Sequence, residues 1–135
     1  MSNSEFHFNE LLAQILVRTD KMLAESSNVI PYGLLLTDNG KIEIIIAVDI
    51  SDKLSECLEF IQNTLKKNLE EKQYVAAAVV FADYDNMEII SLLENNENYC
   101  LKVLFPVMNI EDQLKIDTTK IKTEEGSVYI FPFIS

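Results

Sequence analysis

Residues 32–48 read YGLLLTDNGKIEIIIAV, two apolar runs joined by Asp-Asn-Gly. An Asn-Gly step between apolar runs is a strong signal for a β-hairpin, because both residues tolerate the positive φ of a tight primed turn. The runs predict strands at 32–37 and 41–48. In the second strand Ile44 and Val48 fall on one face, and the opposite face is apolar too. A strand that is apolar on both faces is typical of the middle of a sheet, so we expect it to be central.

Two amphipathic helices flank this hairpin in the sequence. Before it, apolar residues recur every three or four positions from Phe8 to Leu23, which is the spacing of a helix with one buried face. After it, Ser51 and Asp52 supply a hydroxyl to cap free backbone N–H groups and an acid for the first helical turn. We expect the second helix to end near Gln73. Its apolar stripe consists of Leu54, Cys57, Leu58, Ile61, Leu65 and Leu69.

Further strands follow the second helix. Residues 74–81 read YVAAAVVF, which predicts a strand buried on both faces, and the three alanines favour a helix packed close against it. Strands at 88–93 and 99–105 are predicted to form a hairpin around the polar turn 94–98. The apolar segment 128–133 is expected to dock on the folded chain rather than extend into solvent.

The order of these elements predicts one α+β domain over residues 1–135, a length within the single-domain range. The order is α-β-β-α-β-β-β, with a short strand expected near 114–116 and the final strand at the C-terminus. Tight hairpins make the sheet mainly antiparallel, with about five to six strands. We expect two layers, with both helices covering the sheet.

The charge balance excludes several classes of partner. The chain carries 22 Asp+Glu against 11 Lys+Arg, a formal net charge of −11. Such a field repels duplex nucleic acid and anionic membranes, which are bound by clustered cations. The N-terminus lacks the basic start of a signal peptide, and no window is apolar for long enough to span a bilayer. Cys57 and Cys100 are expected to be reduced packing residues, and the protein to be cytoplasmic.

Signals for catalysis or cofactor binding are missing from the sequence. His7 is the only histidine, so a Cys–His pair or a zinc site has little to build on. Gly33, Gly40 and Gly126 are isolated, which leaves no phosphate-binding loop or dinucleotide fingerprint. We therefore expect no cofactor and no catalytic set.

One group of carboxylates lies in the predicted turn after the alanine-rich strand. Asp83, Asp85 and Glu88 alternate there, as ligands of a hard cation could. The glycine and the distal glutamate of a calcium loop are absent, and turns in general favour Asp and Asn. The simpler interpretation is a turn without a metal.

A second group of carboxylates surrounds the start of the second helix: Asp49, Asp52, Glu56 and Glu59. Two of them could serve as acid and base if burial raised the pKa of one. The simpler interpretation is that Asp52 offsets the helix dipole while Glu56 and Glu59 form a solvated face.

Short structural motifs run through the chain. They are Pro31-Tyr32-Gly33 before the Asp-Asn-Gly hairpin, the alanine-rich strand 75–81, the apolar strand 88–94, Val103-Leu104-Phe105-Pro106 and Phe131-Pro132. With these motifs the chain from about residue 28 onward resembles a family of small bacterial proteins of unknown function. The family often has a longer loop after the alanine-rich strand than the Asp-Tyr-Asp-Asn turn found here. The resemblance implies a fold and a bacterial cytosolic origin, but no reaction.

The leading functional hypothesis is a non-enzymatic acidic module, similar to immunity or inhibitor proteins, that binds a basic protein. The candidate binding residues are Glu56, Glu59, Asp83 and Asp85, because electrostatic attraction to their carboxylates would speed the encounter with a basic partner.

Two alternatives stay open. The element order is similar to that of roadblock and profilin-like domains, which are dimerising scaffolds, so the chain could form a homodimer through a sheet edge or a helix face. A more remote alternative is a small enzyme or ligand-binding domain with a pocket built from Tyr32, Tyr84, Tyr99 and scattered acids. Whether Phe131-Pro132-Phe133 packs on its own chain or on a neighbour is left open as well.

Overall fold

The computed structural model describes residues 3–132, which form two helices and seven strands. In chain order the elements are α1 (Asn3–Ser26), β1 (Tyr32–Thr37), β2 (Ile42–Ile46), α2 (Leu54–Leu69), β3 (Tyr74–Asp83), β4 (Glu88–Asn95), β5 (Cys100–Ile110), β6 (Gln113–Ile116) and β7 (Lys122–Glu125). The predicted order α-β-β-α-β-β-β is confirmed through β5, and two short strands follow it. Among the residues described, neither helix combines the length and the hydropathy needed to cross a bilayer.

All the strands join in antiparallel pairs, in the order β2-β1-β3-β4-β5-β6, with β7 also beside β5. β5 is long enough to take two partners on one edge. Its first half pairs with β7, where Leu101 faces Glu125, and its second half pairs with β6, where Val107 faces Ile116. The predicted α+β class with a mainly antiparallel sheet is therefore confirmed.

The two helices lie on opposite faces of the sheet. Successive side chains of a strand point to opposite faces, and the core is divided accordingly. Leu34 of β1 belongs to the cluster that α1 covers, whereas its neighbour Leu35 belongs to the cluster that α2 covers. The domain thus has three layers where the sequence analysis expected two, because β1 and β3 are apolar on both faces and each face needs its own cover.

β2 is an edge strand, although its sequence predicted a central one. It pairs with β1 and stands first in the strand order. Its side chains still pack on both faces, with Ile42 and Ile44 against the α1 side and Ile45 against the α2 side. Apolar residues on both faces of β2 therefore indicate that helices pack on both faces of the sheet. They do not indicate that β2 has a neighbouring strand at both of its edges.

The β1–β2 hairpin closes with a different turn from the one predicted. Thr37 N–H donates to the Lys41 carbonyl at 2.8 Å, so three residues form the loop, and within it Gly40 has a positive φ of 88°. This is the three-residue loop in which a type I turn is followed by a left-handed residue. The hairpin is confirmed, but Asn39 does not take the positive φ of a two-residue primed turn.

α2 begins at Leu54, two residues later than predicted. Lys53 occupies the N-cap position and makes no side-chain cap. The hydroxyl of Ser51 instead accepts the Lys53 N–H at 3.0 Å and donates to Glu56 Oε2 at 2.8 Å. The hydroxyl thus binds a free N–H, as predicted, but in the turn that precedes the helix.

Gly33 lets α2 approach the sheet closely. A Cβ added there would lie 2.8 Å from Ile61 Cγ2 and 2.9 Å from Leu65 Cδ1, closer than carbon atoms can pack. The close approach that the sequence assigned to the alanines of β3 is therefore also set by a glycine of β1.

The C-terminal segment, residues 128–132, docks on its own chain without forming a strand. Ile130 and Phe131 are buried in the core beneath α2, which confirms the expected docking, while Phe133 lies outside the described residues. The last strand is β7, a polar stretch ahead of this segment. The sequence placed it wrongly, because apolar character was taken as the strand signal.

Glu94 holds the C-terminal segment in place. Its carboxylate accepts the backbone N–H groups of Tyr129 at 2.5 Å and Phe131 at 2.6 Å, and that of Ile130 between them. Glu94 and Asn95 were predicted in the polar turn of a hairpin, but both are buried at the end of β4. Burial raises the pKa of Glu94, and the three N–H groups act in the opposite direction.

Candidate functional site

A cleft of about 800 Å³ opens at one end of the sheet. Three connections form its walls: the loop between α1 and β1, the connection from β2 to α2, and the turn between β3 and β4. We call this site the acidic cleft. Its lining includes Val48, Asp49, Ile50, Asp52, Leu54 and Tyr84.

The floor of the acidic cleft is apolar and open to solvent. Val48 is 51% exposed, Tyr84 49%, and Ile50 and Leu54 are each 41% exposed. Exposed apolar side chains that gather in one concave site are typical of binding surfaces. Leu54 was predicted on the buried stripe of the second helix. It is exposed because α2 begins at this residue, beside the cleft.

The charged side chains that line the acidic cleft are both negative. They are Asp49 and Asp52, and among the described residues no lysine or arginine is in the lining, although the exposed Lys53 lies between two lining residues. Glu56 stands next to it, since its carboxylate accepts the hydroxyl of Ser51, another lining residue, at 2.8 Å. A concave surface with charges of one sign focuses the electrostatic potential and draws in ligands of the opposite sign.

Tyr84 fastens two walls of the cleft to each other. Its hydroxyl donates to Asn28 Oδ1 and accepts the backbone N–H of Val29 at 2.9 Å. These bonds join the β3–β4 turn to the loop that follows α1, across 55 residues of sequence. The Tyr84 side chain thus holds these two walls in place, and walls that are already held in place lower the entropy cost of binding a partner there.

The four predicted binding residues do not all lie together. Asp83 and Asp85 flank Tyr84, and Glu56 reaches the cleft through Ser51. Glu59 lies one turn further along α2, beside Tyr129, where burial and then the Glu59 charge raise the pKa of the phenol. None of the four lines the cleft itself: Glu56 stands beside it, Asp85 follows the lining residue Tyr84, Asp83 lines a separate small pocket with Leu23 and Met87, and Glu59 lies near the C-terminal segment.

Asp83 and Asp85 have different surroundings. Asp83 is half-buried and accepts the side-chain N–H of Asn86 at 2.7 Å, which stabilises the β3–β4 turn. Asp85 is fully on the surface. Asp85 is therefore free to meet a partner, whereas Asp83 has a structural task as well.

From the sequence, Asp49 and Asp52 were weighed with Glu56 and Glu59 as a source of an acid and base pair, and the preferred interpretation was that Asp52 offsets the helix dipole. Both are exposed, so neither has the burial that separates the roles of two catalytic carboxylates. What sequence reasoning missed is their apolar company. Val48 and Ile50 are apolar residues on either side of Asp49 in the connection from β2 to α2. Apolar residues in an otherwise polar connection could have indicated a binding surface.

The three tyrosines of the proposed pocket lie apart. Tyr32 is buried under α1, with its hydroxyl 2.8 Å from that of Thr19, and Tyr99 is exposed before β5. Of the three, Tyr84 alone lines the acidic cleft. Within residues 3–132, no three His, Cys, Asp or Glu side chains come together as a metal site.

A second cleft of about 660 Å³ lies at the other end of α2, beside the C-terminal segment. Its floor includes Ile130 and Phe131, and its cations are Lys66 and Lys72. Lys72 Nζ pairs with Glu43 Oε2 at 3.2 Å, and this pairing offsets its charge. The second cleft therefore lacks the uniform charge that distinguishes the acidic cleft.

No protein-family model matches the chain, and no significant match was found among curated proteins or among solved structures. The acidic cleft, with its geometry and its charges, is accordingly the basis for a functional proposal.

Proposed function

We propose that this chain is a non-enzymatic binding module of the bacterial cytoplasm that binds a basic protein, in the manner of an immunity or inhibitor protein. The observation that carries the proposal is the acidic cleft, an exposed apolar floor beside carboxylates with no cation among its lining residues. Protein interfaces combine an apolar centre with a polar rim. A partner that places an apolar side chain on the floor and cations at the carboxylates would satisfy both parts.

The overall charge supports the same partner. A net charge of −11 attracts a basic protein over distances of about 10 Å in dilute salt and speeds their encounter. The attraction falls as salt screens it, so binding should weaken with ionic strength.

The cytoplasmic part of the proposal is supported by the thiols. Cys57 is on the buried face of α2, Cys100 is half-buried, and both are free. Free thiols are usual in a reducing compartment, where disulfides are rare. The bacterial part rests on the family resemblance described from the sequence.

The experiment compares two charge-reversed proteins with the wild type. The test variant carries Asp52→Lys in the cleft lining, Glu56→Lys beside it and Asp85→Lys next to the lining residue Tyr84. These residues are exposed, and none is buried in the core. The partner is captured from a bacterial lysate at low salt and purified, and its Kd for each protein is measured by calorimetry. We expect the test variant to bind at least about tenfold more weakly, a loss of about 1.4 kcal/mol.

The control variant carries the same change of charge elsewhere: Glu10→Lys, Glu71→Lys and Glu125→Lys, all on exposed residues away from the cleft lining. It should bind more tightly than the test variant. Equal Kd values for the two variants, or a Kd that does not respond to salt, would remove the proposal. Glu59→Lys serves as a further comparison, because Glu59 lies outside the cleft and should matter less.

A homodimeric scaffold is the second candidate, favoured by the outer side of β2, with which no strand of the described residues pairs. Light scattering on the purified protein at high concentration tests it. The molar mass of a dimer would support the scaffold, and that of a monomer would count against it.

A further inference from the structure

The outer side of β2 carries main-chain groups that point away from the sheet. Thr37 N–H bonds to the Lys41 carbonyl at 2.8 Å, and Ala47 N–H bonds to the Pro31 carbonyl at 3.0 Å. Residues 41 and 47 therefore face β1. Because hydrogen-bonded positions alternate along an antiparallel strand, Glu43 and Ile45 face β1 as well.

Ile42, Ile44 and Ile46 consequently direct their N–H and C=O groups outward. Within residues 3–132, no strand pairs with this side of β2. A row of unpaired main-chain groups is a template for another extended chain. β2 contains no proline and no lysine, two residues that protect edge strands, and its single charged residue is Glu43.

The acidic cleft continues directly from this edge. Ala47, which follows β2, lines the cleft and is followed by Val48, Asp49 and Ile50. An extended chain laid along β2 would therefore run past the carboxylates at the end of the strand.

The charges select the occupant of the edge. A second copy of the chain would bring another net charge of −11 against the same carboxylates, which is unfavourable. An extended segment with cationic side chains meets opposite charges there instead.

We propose that the outer edge of β2 receives an extended basic segment of the partner as an additional strand, with its cations against the carboxylates of the acidic cleft. This rests on the proposed function in one respect, that the partner is basic. It adds where the partner lies and in which conformation.

The test uses the ¹⁵N-labelled full chain and one defined probe, a decapeptide of alternating valine and lysine. Amide hydrogen exchange is followed by NMR with and without the peptide. At about 90% occupancy the amides of Ile42, Ile44 and Ile46 should exchange about tenfold more slowly, because they exchange only in the free protein. Glu43 and Ile45, already bonded to β1, exchange slowly before the peptide is added, so the gain of protection is read at the outward amides.

Two variants of one residue sharpen the result. Ile44→Pro removes an outward N–H without touching a bond to β1, a position at which an edge strand tolerates proline. Ile44→Thr keeps that N–H and a β-branched side chain. Ile44→Pro should weaken peptide binding at least about tenfold relative to Ile44→Thr, and if it does not fold, the exchange pattern of the wild type decides the question by itself.

The remaining outcomes separate this inference from the proposed function. Peptide binding that disappears in the cleft charge-reversal variant, but leaves the exchange of the outward amides unchanged, overturns the edge and keeps the basic partner. No binding at millimolar peptide overturns the edge, while the proposed function is decided by the Kd values of the captured partner. Peptide binding that is unaffected by the charge reversal overturns the role of the cleft carboxylates in this inference. Slow exchange of the same amides in concentrated protein without peptide, together with a doubled molar mass, assigns the edge to a second copy and overturns the basic segment.

Discussion

Tyr32 is a residue whose chemistry is decided by burial. Its side chain is fully enclosed between β1 and α1, and its hydroxyl bonds with that of Thr19 at 2.8 Å. Burial raises the pKa of Tyr32 to about 12, from the ordinary tyrosine value of 10.0. The sequence alone does not reveal the raised pKa, because α1, which covers Tyr32, is a separate element of the chain.

The pH dependence of stability should carry the signature of Tyr32. Between pH 10 and about 12 the unfolded chain loses this phenolic proton while the folded chain keeps it. The free energy of unfolding should therefore fall as the pH rises through this window, by roughly 2 kcal/mol from this group. Urea unfolding at a series of pH values should show a shallower fall for Tyr32→Phe. An identical fall in the variant and the wild type would contradict the assignment.

Some turns could be predicted from the sequence and others could not. The positive φ at Gly40 was predictable, because glycine is the usual residue where φ must be positive. Glu111 and Asp112 have φ values of 52° and 63° between β5 and β6. A two-residue turn of this kind usually contains Asn-Gly. Because Glu111-Asp112 does not match that pattern, the β5–β6 hairpin was not predicted.

At the scale of elements, the helices and inner strands could be predicted because their apolar periodicity matches the faces they bury. The edge position of β2 could not, since the sequence pattern reports contacts above and below a strand but not beside it. The C-terminal segment was expected to dock, yet its anchor was not found. Glu94 looked like part of a polar turn, and its partners are backbone groups more than 30 residues away.

Replacing Glu94 should loosen the C-terminal segment. Glu94→Gln leaves one acceptor oxygen and puts an NH₂ group against backbone donors, so buried N–H groups lose their partner. We expect the free energy of unfolding to fall by about 1–3 kcal/mol, and the amides of 129–131 to exchange faster. The matched control is Glu97→Gln, an exposed acid in the next turn, which should stay within about 0.5 kcal/mol of wild type. Equal effects of the two changes would argue against the anchoring role of Glu94.

At the scale of the whole molecule, the net charge and the edge of β2 have opposite effects on self-association. The edge invites pairing between copies, and the net charge of −11 keeps copies apart. Both the acidity and the candidate carboxylates were readable from composition. The cleft was not, because residues 28–31, 47–54 and 82–84 meet only after the sheet has formed.

Removing the net charge should let the edges associate. Near the isoelectric point, about pH 4.4, we expect light scattering to rise through association of copies. Ile46→Lys, on the edge and 38% exposed, should suppress that rise. Val17→Lys adds the same charge on exposed α1 and should suppress it less. Equal scattering from the two variants would mean that charge alone, and not β2, governs the association.

The contact at Gly33 has a consequence for the evolution of this chain. Because a Cβ at position 33 would meet Ile61 and Leu65, the three positions cannot drift independently. In homologous sequences an alanine at 33 should be accompanied by a shorter residue at 61 or 65, or by a helix shifted along the sheet. Covariation among these three positions in homologous sequences would thus indicate how the position of α2 over β1 differs between those proteins.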